Sequence, residues 1–156
     1  MFERTLQGAR AAADVGLVDE WVNAFLSSGL GANPPMAIGL RKQPRWWIGP
    51  VLVPLASLTR ICGPEPEMKY RTSPEAWDEH VAAIMTVEPE QLPPLILEYR
   101  GRDPLGLHDG SHRHEAMRRR GATSIWAVIW CNTESDFHAA APVYGGVLTP
   151  RPWLTR

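Results

Sequence analysis

A short run of residues near position 110 combines the groups that hold phosphate in proteins. Gly110, Ser111, His112 and Arg113 follow one another directly after Asp109. A glycine turn lets the backbone approach an anion closely, and the first turn of a helix offers unpaired N–H groups. The guanidinium of Arg113 could add a two-pronged phosphate contact, and the His112 ring a further donor. The pattern predicts an anion site at the start of a short helix.

The flanking sequence predicts the elements that would hold this turn. Leu105 to His108 is typical of a strand, and Gly121 is a fitting end for a helix that begins near Ser111. Ser124 to Trp130 is a hydrophobic run long enough for a strand that is buried on both faces. Asp109 could cap the helix; in a phosphoryl transfer it could instead act as a catalytic residue that helps to bind Mg²⁺ or orients a hydroxyl. We therefore expect a strand, a turn, a helix and a buried strand in succession.

The residues from Asp109 onward resemble the ParB/sulfiredoxin superfamily. Gly110 to Arg113 matches the Gly-x-x-Arg phosphate motif of ParB-type proteins, and Asp109 to Arg113 resembles the Asp-Gly-x-His-Arg motif of free serine kinases. The resemblance covers residues 51–132 and implies an α+β fold, a small mixed sheet packed with helices. It also implies that the motif binds nucleotide phosphates, so that ATP or CTP with Mg²⁺ is the expected cofactor.

A proline-rich polar loop, Ile61 to Thr72, supplies the other candidate site residues. Lys69 and Arg71 could reach a phosphate, and Glu65 or Glu67 could place a carboxylate near it. In the free serine kinases a glutamate of the corresponding loop acts on the substrate hydroxyl, so the resemblance implies a catalytic role for one of these two. Solvated loop charges are the alternative for each residue. The order of loop, helix and glycine turn resembles that of the family. It predicts that Lys69 or Arg71 shares a basic pocket with Arg113.

Residues 1–45 lie outside the region of resemblance and are predicted to form a helical extension. Phe2 to Ala13 is expected to be one helix, and Asp19 is expected to cap a second helix with an apolar face. Gly31 to Pro44 is predicted to be a loop. We interpret the extension as a cover for an open face of the core; a partner or dimer surface is the alternative.

Residues 46–132 make up the predicted core. Its first helix is expected over residues 74–86, where Ser73 is a typical cap. Residues 133–156 are predicted to be a tail, which packs on the core through Trp153 or makes an oligomer contact.

Composition limits the classes of function. The 156 residues carry 16 basic and 17 acidic side chains, a net charge of -1, which gives no general attraction to nucleic acid although a local DNA-binding patch is compatible with it. Cys62 and Cys131 show no metal-binding spacing and predict a reduced, cytoplasmic protein. No segment is long enough to span a membrane, and no signal-peptide pattern is found at the start.

Two activities of the superfamily are not expected from this sequence. Sulfiredoxin chemistry needs a thiolate where Ser111 stands, because a hydroxyl cannot form the thiosulfinate intermediate. Full ParB partition function needs DNA-binding and dimerisation domains after the core, and about two dozen residues follow it here. A transition-metal site is not expected from His108, His112 and His114, because helix residues two apart point to different faces.

Two classes of function remain. The first is a small nucleotide-dependent enzyme, a kinase-like phosphotransferase or an NTPase, with an unknown small-molecule or protein acceptor. The second is a nucleotide-gated or nucleic-acid-associated binding module without turnover, and some members of the superfamily carry a ParB-like nuclease label. The structural alternative to the anion site is an ion pair between Arg113 and a core carboxylate, with an ordinary capped helix behind it.

Overall fold

The computed structural model of this chain describes residues 2–102 and 104–145 as an α+β fold. A five-stranded mixed sheet lies at the centre, and a two-stranded sheet lies in the loop over residues 61–72. The predicted fold class is confirmed. The helices are α1 Leu6–Asp14, α2 Val18–Ser27, α3 Pro34–Leu40, α4 Pro74–Ile84, α5 Ser111–Arg119 and α6 Glu134–Ala140. The strands are β1 Trp46–Pro54, β2 Leu58–Thr59, β3 Cys62–Gly63, β4 Tyr70–Arg71, β5 Leu95–Glu98, β6 Leu105–Asp109 and β7 Ser124–Cys131.

The central sheet has the strand order β1-β7-β5-β6-β2. Strand β7 runs antiparallel to β1 and parallel to β5, while β6 is antiparallel to β5 and parallel to β2. The pairing of β1 is irregular between Ile48 and Val51, so β1 is a bulged strand. The short strands β3 and β4 pair in parallel, which orders the loop that follows the first part of the sheet.

Strand β7 is buried on both faces, as its sequence predicts. Val128 and Trp130 belong to a core cluster that also contains the apolar residues of α1, α2 and α3. Ala127 and Ile129 alternate with them and belong to a second cluster, which contains Phe137 of α6. Two layers of helix therefore cover the sheet, because side chains of one strand point alternately to its two faces.

The N-terminal segment contains three helices rather than the two expected. Residues 31–44 are not one loop, because α3 lies within them. The amide oxygen of Asn33 accepts a hydrogen bond from the Met36 N–H at 3.2 Å, and Pro34 occupies the first helical position. Proline fits there because the first N–H groups of a helix have no intrahelical partner. The cap expected of Asp19 is also wrong, since Leu17 is the capping residue of α2 and Asp19 lies inside the first turn.

Helices α4 and α5 pack against each other through a small cluster of their own. Trp77 and Val81 of α4 are buried against Ala116 of α5. The predicted cap of α4 is confirmed, because the Ser73 hydroxyl oxygen accepts a hydrogen bond from the Ala76 N–H at 3.1 Å. This pairing places α4 beside the first turn of α5, where the candidate site lies.

The segment after β7 continues into the core as α6. Thr133 caps this helix, and Phe137 and Ala140 are buried in the second cluster. The contact expected of Trp153 lies outside the described residues. Within residues 2–102 and 104–145, no helix has the length and apolarity that are needed to cross a membrane.

The cap of α3 can be tested by substitution. Asn33→Ala should lower the free energy of unfolding by about 1 kcal/mol, because the Met36 N–H loses its side-chain acceptor. Asn33→Ser keeps a capping oxygen and is the matched control, which should stay close to the wild type. Urea unfolding of the three proteins measures the effect. Equal destabilisation by both substitutions would contradict the capping role.

Candidate functional site

The turn at Gly110 joins β6 to α5 through a left-handed backbone conformation. Gly110 has a φ of +110° and is the capping residue of α5. A Cβ atom at this position would clash with the Leu95 side chain and would lie 2.9 Å from Nη2 of Arg113. Glycine is therefore required both for the backbone angle and for the space. The predicted sequence of strand, glycine turn and helix is confirmed.

The first turn of α5 has three backbone donors without an acceptor. The first helical bond of α5 runs from the His114 N–H to the Gly110 carbonyl oxygen at 2.8 Å. The N–H groups of Ser111, His112 and Arg113 make no hydrogen bond to any described residue. The Ser111 hydroxyl has no partner there either, although the residue is only 8% exposed. This end of α5 thus has no side-chain cap, and its donors and its dipole favour an anion.

Arg113 is bound within the fold rather than extended from it. Its Nη2 donates to Oδ2 of Asp109 at 2.9 Å and to the Pro94 carbonyl oxygen at 3.2 Å. The guanidinium carbon lies 5.5 Å from the centre of the Phe25 ring. The two paired side chains are 13% and 14% exposed. The ion pair between Arg113 and a carboxylate, which is the structural alternative to the anion site, is therefore present. The side-chain cap that this alternative also predicts for α5 is not found among the described residues.

The pairing with Arg113 also decides what Asp109 can do. The cap expected of Asp109 is wrong, because its carboxylate accepts from Arg113 while Gly110 is the capping residue. The neighbouring guanidinium also repels a further cation, so the carboxylate is a poor ligand for Mg²⁺. In the part of the chain that the structure describes, no three His, Cys, Asp or Glu side chains are grouped to hold a metal ion. The role of Mg²⁺ ligand expected of Asp109 therefore does not fit its surroundings.

The His112 ring joins α5 to α4. Its centre lies 3.8 Å from that of His80, in a stacked arrangement, and 4.5 Å from that of Trp77. Burial, followed by the charges of His80 and Arg113, lowers the pKa of His112 to about 4. The ring is neutral at pH 7, so it cannot attract a phosphate as a cation.

Arg60 is a basic residue near α5 that sequence reasoning missed. Its guanidinium lies 4.8 Å from the Trp77 ring centre and donates to Oε1 of Glu65 at 2.5 Å. The hydrogen bond from Arg60 lowers the pKa of Glu65, which makes this carboxylate a weaker base. The positive charge of Arg60 also helps to lower the pKa of His112 and of His114. Its position just before the polar loop was the only sequence signal.

The other candidate residues of the loop, Lys69, Arg71 and Glu67, are exposed, and the contacts of the two cations lie within the loop. The Lys69 ammonium is 5.3 Å from the centre of the Tyr70 ring, and Arg71 donates to the Pro64 carbonyl oxygen at 3.4 Å. Glu67 is exposed. These contacts do not reach the turn, so the basic pocket shared with Arg113 stays a prediction.

Glu115, like Arg60, is a charged residue whose role the sequence does not predict. It is only 4% exposed and accepts hydrogen bonds from Arg118 at 2.7 Å and from Arg119 at 2.9 Å. The hydrogen bonds from Arg118 lower the pKa of Glu115 by more than burial raises it. Together with the hydrogen bond from Arg119, they bring this pKa to about 2. Arg119 also donates to Asp78 of α4 at 2.7 Å, so the arginines near the end of α5 fix its contact with α4.

A separate polar network lies at the end of the sheet where β5 and β7 finish. Oε1 of Glu98 contacts Nε2 of His108 at 3.1 Å, and Oε2 accepts from Asn132 at 2.9 Å. The Asn132 side-chain oxygen accepts hydrogen bonds from Arg45 and, at 3.2 Å, from Trp130. His108 is therefore engaged in this network and does not join His112 and His114 in a common site.

Comparison with known proteins adds no assignment: no family model matches the chain, and no curated protein matches its sequence. The relation to the ParB/sulfiredoxin superfamily stays a prediction that rests on the motif.

The buried state of His112 predicts a pH dependence of stability. The folded protein keeps this ring neutral down to about pH 4, whereas the unfolded chain takes up a proton near the usual pKa of 6.5. The unfolded state thus binds more protons between these values, and the free energy of unfolding falls as the pH is lowered from 6.5 to 4. With allowance for partial exposure, we expect a loss of roughly 2 kcal/mol.

His112→Phe keeps an aromatic ring in the stack and removes the titration. Urea unfolding at a series of pH values should give a shallower dependence for this variant, with part of it retained because burial also lowers the pKa of His114. His138→Gln changes an exposed histidine and is the control, which should keep the wild-type slope. An unchanged slope in His112→Phe would show that another group is responsible.

Proposed function

We propose that this protein binds a nucleotide through its phosphates at the first turn of α5, as the resemblance to the ParB/sulfiredoxin superfamily implies. One observation carries the proposal: three adjacent backbone N–H groups, those of Ser111, His112 and Arg113, have no acceptor among the described residues. The first N–H groups of an α-helix have no intrahelical partner, and no side chain of the described residues caps those of α5. An anion at this turn would accept all three bonds and would lie at the positive end of the α5 dipole.

The donors proposed here are neutral groups rather than free cations. Arg113 and Asp109 neutralise each other, and His112 is uncharged at pH 7. The phosphate would instead be held by backbone N–H groups and by the Ser111 hydroxyl. Glycine at position 110 allows the phosphate to approach the backbone closely. The proposal therefore differs from the expected arginine contact in the groups that bind, but not in the place.

The contacts of the candidate catalytic carboxylates favour binding over turnover. Asp109 is paired with Arg113, and Glu65 is paired with Arg60. A general base for phosphoryl transfer needs a carboxylate that is free to accept the proton of the attacking hydroxyl. We therefore propose a nucleotide-binding module for ATP or CTP. A phosphotransferase or NTPase is the second candidate, and it would have to use Glu67, whose exposed carboxylate has no pairing among the described residues.

A carboxylate placed at Ser111 tests the proposed phosphate site. Ser111→Asp puts a negative charge where the phosphate would bind, while an acidic residue in the first turn stabilises a helix by about 0.3–1 kcal/mol. Ser111→Asn has the same shape without the charge and is the matched control. By calorimetry with ATP and CTP, Ser111→Asp should bind at least about tenfold more weakly than Ser111→Asn. Arg113→Ala is less suitable, because it would leave Asp109 unpaired.

The same titrations decide between the possible outcomes. Equal affinities of the Asp and Asn variants, or no binding of either nucleotide by the wild type, would contradict the phosphate site. Inorganic phosphate is included to show whether the turn recognises phosphate alone. The wild type is also tested for release of phosphate from ATP or CTP in the presence of Mg²⁺. Release that is lost in Glu67→Gln would favour a phosphotransferase or NTPase over the binding module.

A further inference from the structure

A cavity lies in the N-terminal part of the fold, between α2, α3 and the start of β1. Its volume is about 370 Å³, which is within the range of small-molecule sites. Val22, Ala37, Leu40 and Trp47 form its apolar floor, and each of them is at most 9% exposed. The cavity is therefore open to solvent at the rim but lined by the core at its base.

The rim of this cavity is basic. Arg41, Lys42 and Arg45 line it, and Asp19 is the acidic residue among the lining side chains. Three cations thus face one carboxylate, in a protein whose net charge is -1. This local excess of positive charge is independent of the phosphate turn and favours an anionic ligand.

Arg45 is held rigidly at the edge of the cavity. It donates through Nε to the Leu40 carbonyl oxygen and through Nη2 to the Gly39 carbonyl oxygen, both at 3.3 Å, and through Nη1 to Asn132. The carbonyl groups at the end of α3 and the Glu98–Asn132 pair thereby fix its plane. Nη1 and Nη2 each keep a second N–H with no acceptor in the described part of the chain. A cation that is already positioned loses little entropy when it binds an anion.

We propose that this cavity binds an aromatic carboxylate. The carboxylate would accept hydrogen bonds from Arg45 and be attracted by Lys42, while the ring would cover Trp47 and Leu40. An inorganic anion would leave the apolar part of the lining without a contact, and a neutral ring would leave the basic rim without a partner. The N-terminal helices would then do more than cover the sheet, because they form two walls of a binding site.

Three small probes test separately what the negative charge and the aromatic ring contribute to binding. Benzoate carries both, benzamide carries the ring without the charge, and acetate carries the charge without the ring. By calorimetry, benzoate should bind at least about tenfold more tightly than either of the others. NMR of the labelled indole groups should show the largest shift at Trp47, on the cavity floor.

Two substitutions at the rim and one matched control locate the binding. Lys42→Gln should weaken benzoate binding by about threefold, and Arg45→Gln by about tenfold or more, since Arg45 is the fixed donor. Arg10→Gln makes the same change of charge and should have no effect. Arg10 stacks on Trp126 at 4.2 Å, and Trp126 pairs with Leu52, about 16 Å along β1 from Trp47.

Several results would overturn the inference. These are absence of benzoate binding, equal affinities for benzoate and benzamide, or equal effects of Lys42→Gln and Arg10→Gln. If Arg45→Gln does not fold, because it removes the contacts at the end of α3, Lys42→Gln still decides. Ser111→Asp should leave benzoate binding unchanged; its loss in that variant would assign the benzoate to the phosphate turn and overturn the cavity as its site.

Discussion

The burial of β7 on both faces is the constraint on which the rest of this structure depends. An apolar strand in the middle of a sheet needs a layer on each side, and a chain of this length must supply both layers from short helices. Helices α1 to α3 form one layer, and α6 contributes to the other. The same strand pairs with β5, which holds β6 and hence the turn at Gly110 in place. The turn at Gly110 and the basic cavity are both consequences of how this strand is covered.

The two proposed sites would use charge in different ways. Most of the arginines near the turn at Gly110 are paired inside the protein, Arg113 with Asp109, Arg60 with Glu65 and Arg119 with Glu115 and Asp78. Half-buried pairs of this kind hold elements in place and leave little net field for a ligand. A phosphate at the turn would therefore be held by backbone donors, whose direction is set by the helix. At the cavity the cations outnumber the carboxylate, so electrostatic attraction itself would distinguish an anion from a neutral ring.

The sequence predicts most of the fold around the turn, because each signal there is local. Gly110 marks the sharp turn, and the run from Ser124 to Trp130 marks the buried strand. The same type of local signal occurs at Asn33 and Pro34. The loop predicted there is wrong, because a capping residue followed by proline begins α3, as it also begins α4. The site side chains were harder to predict. The partner of Arg113 and the proximity of Arg60 to His112 depend on how separate elements pack, which spacing along the chain does not encode.

Helix α2 contributes to the surroundings of both sites. Phe25 lies beneath the Arg113 guanidinium, and Val22, one turn earlier, forms part of the cavity floor. Energetic coupling between two sites requires an element with two discrete arrangements, because packed cores are not continuously deformable. The packing of α2 favours one arrangement: Trp21 and Phe25 stack with their centres 5.0 Å apart, and Val22 and Leu26 are almost completely buried. A ring bound against Val22 would contact a surface that is already fixed by the core. The two sites would therefore bind their ligands independently, although they share a helix.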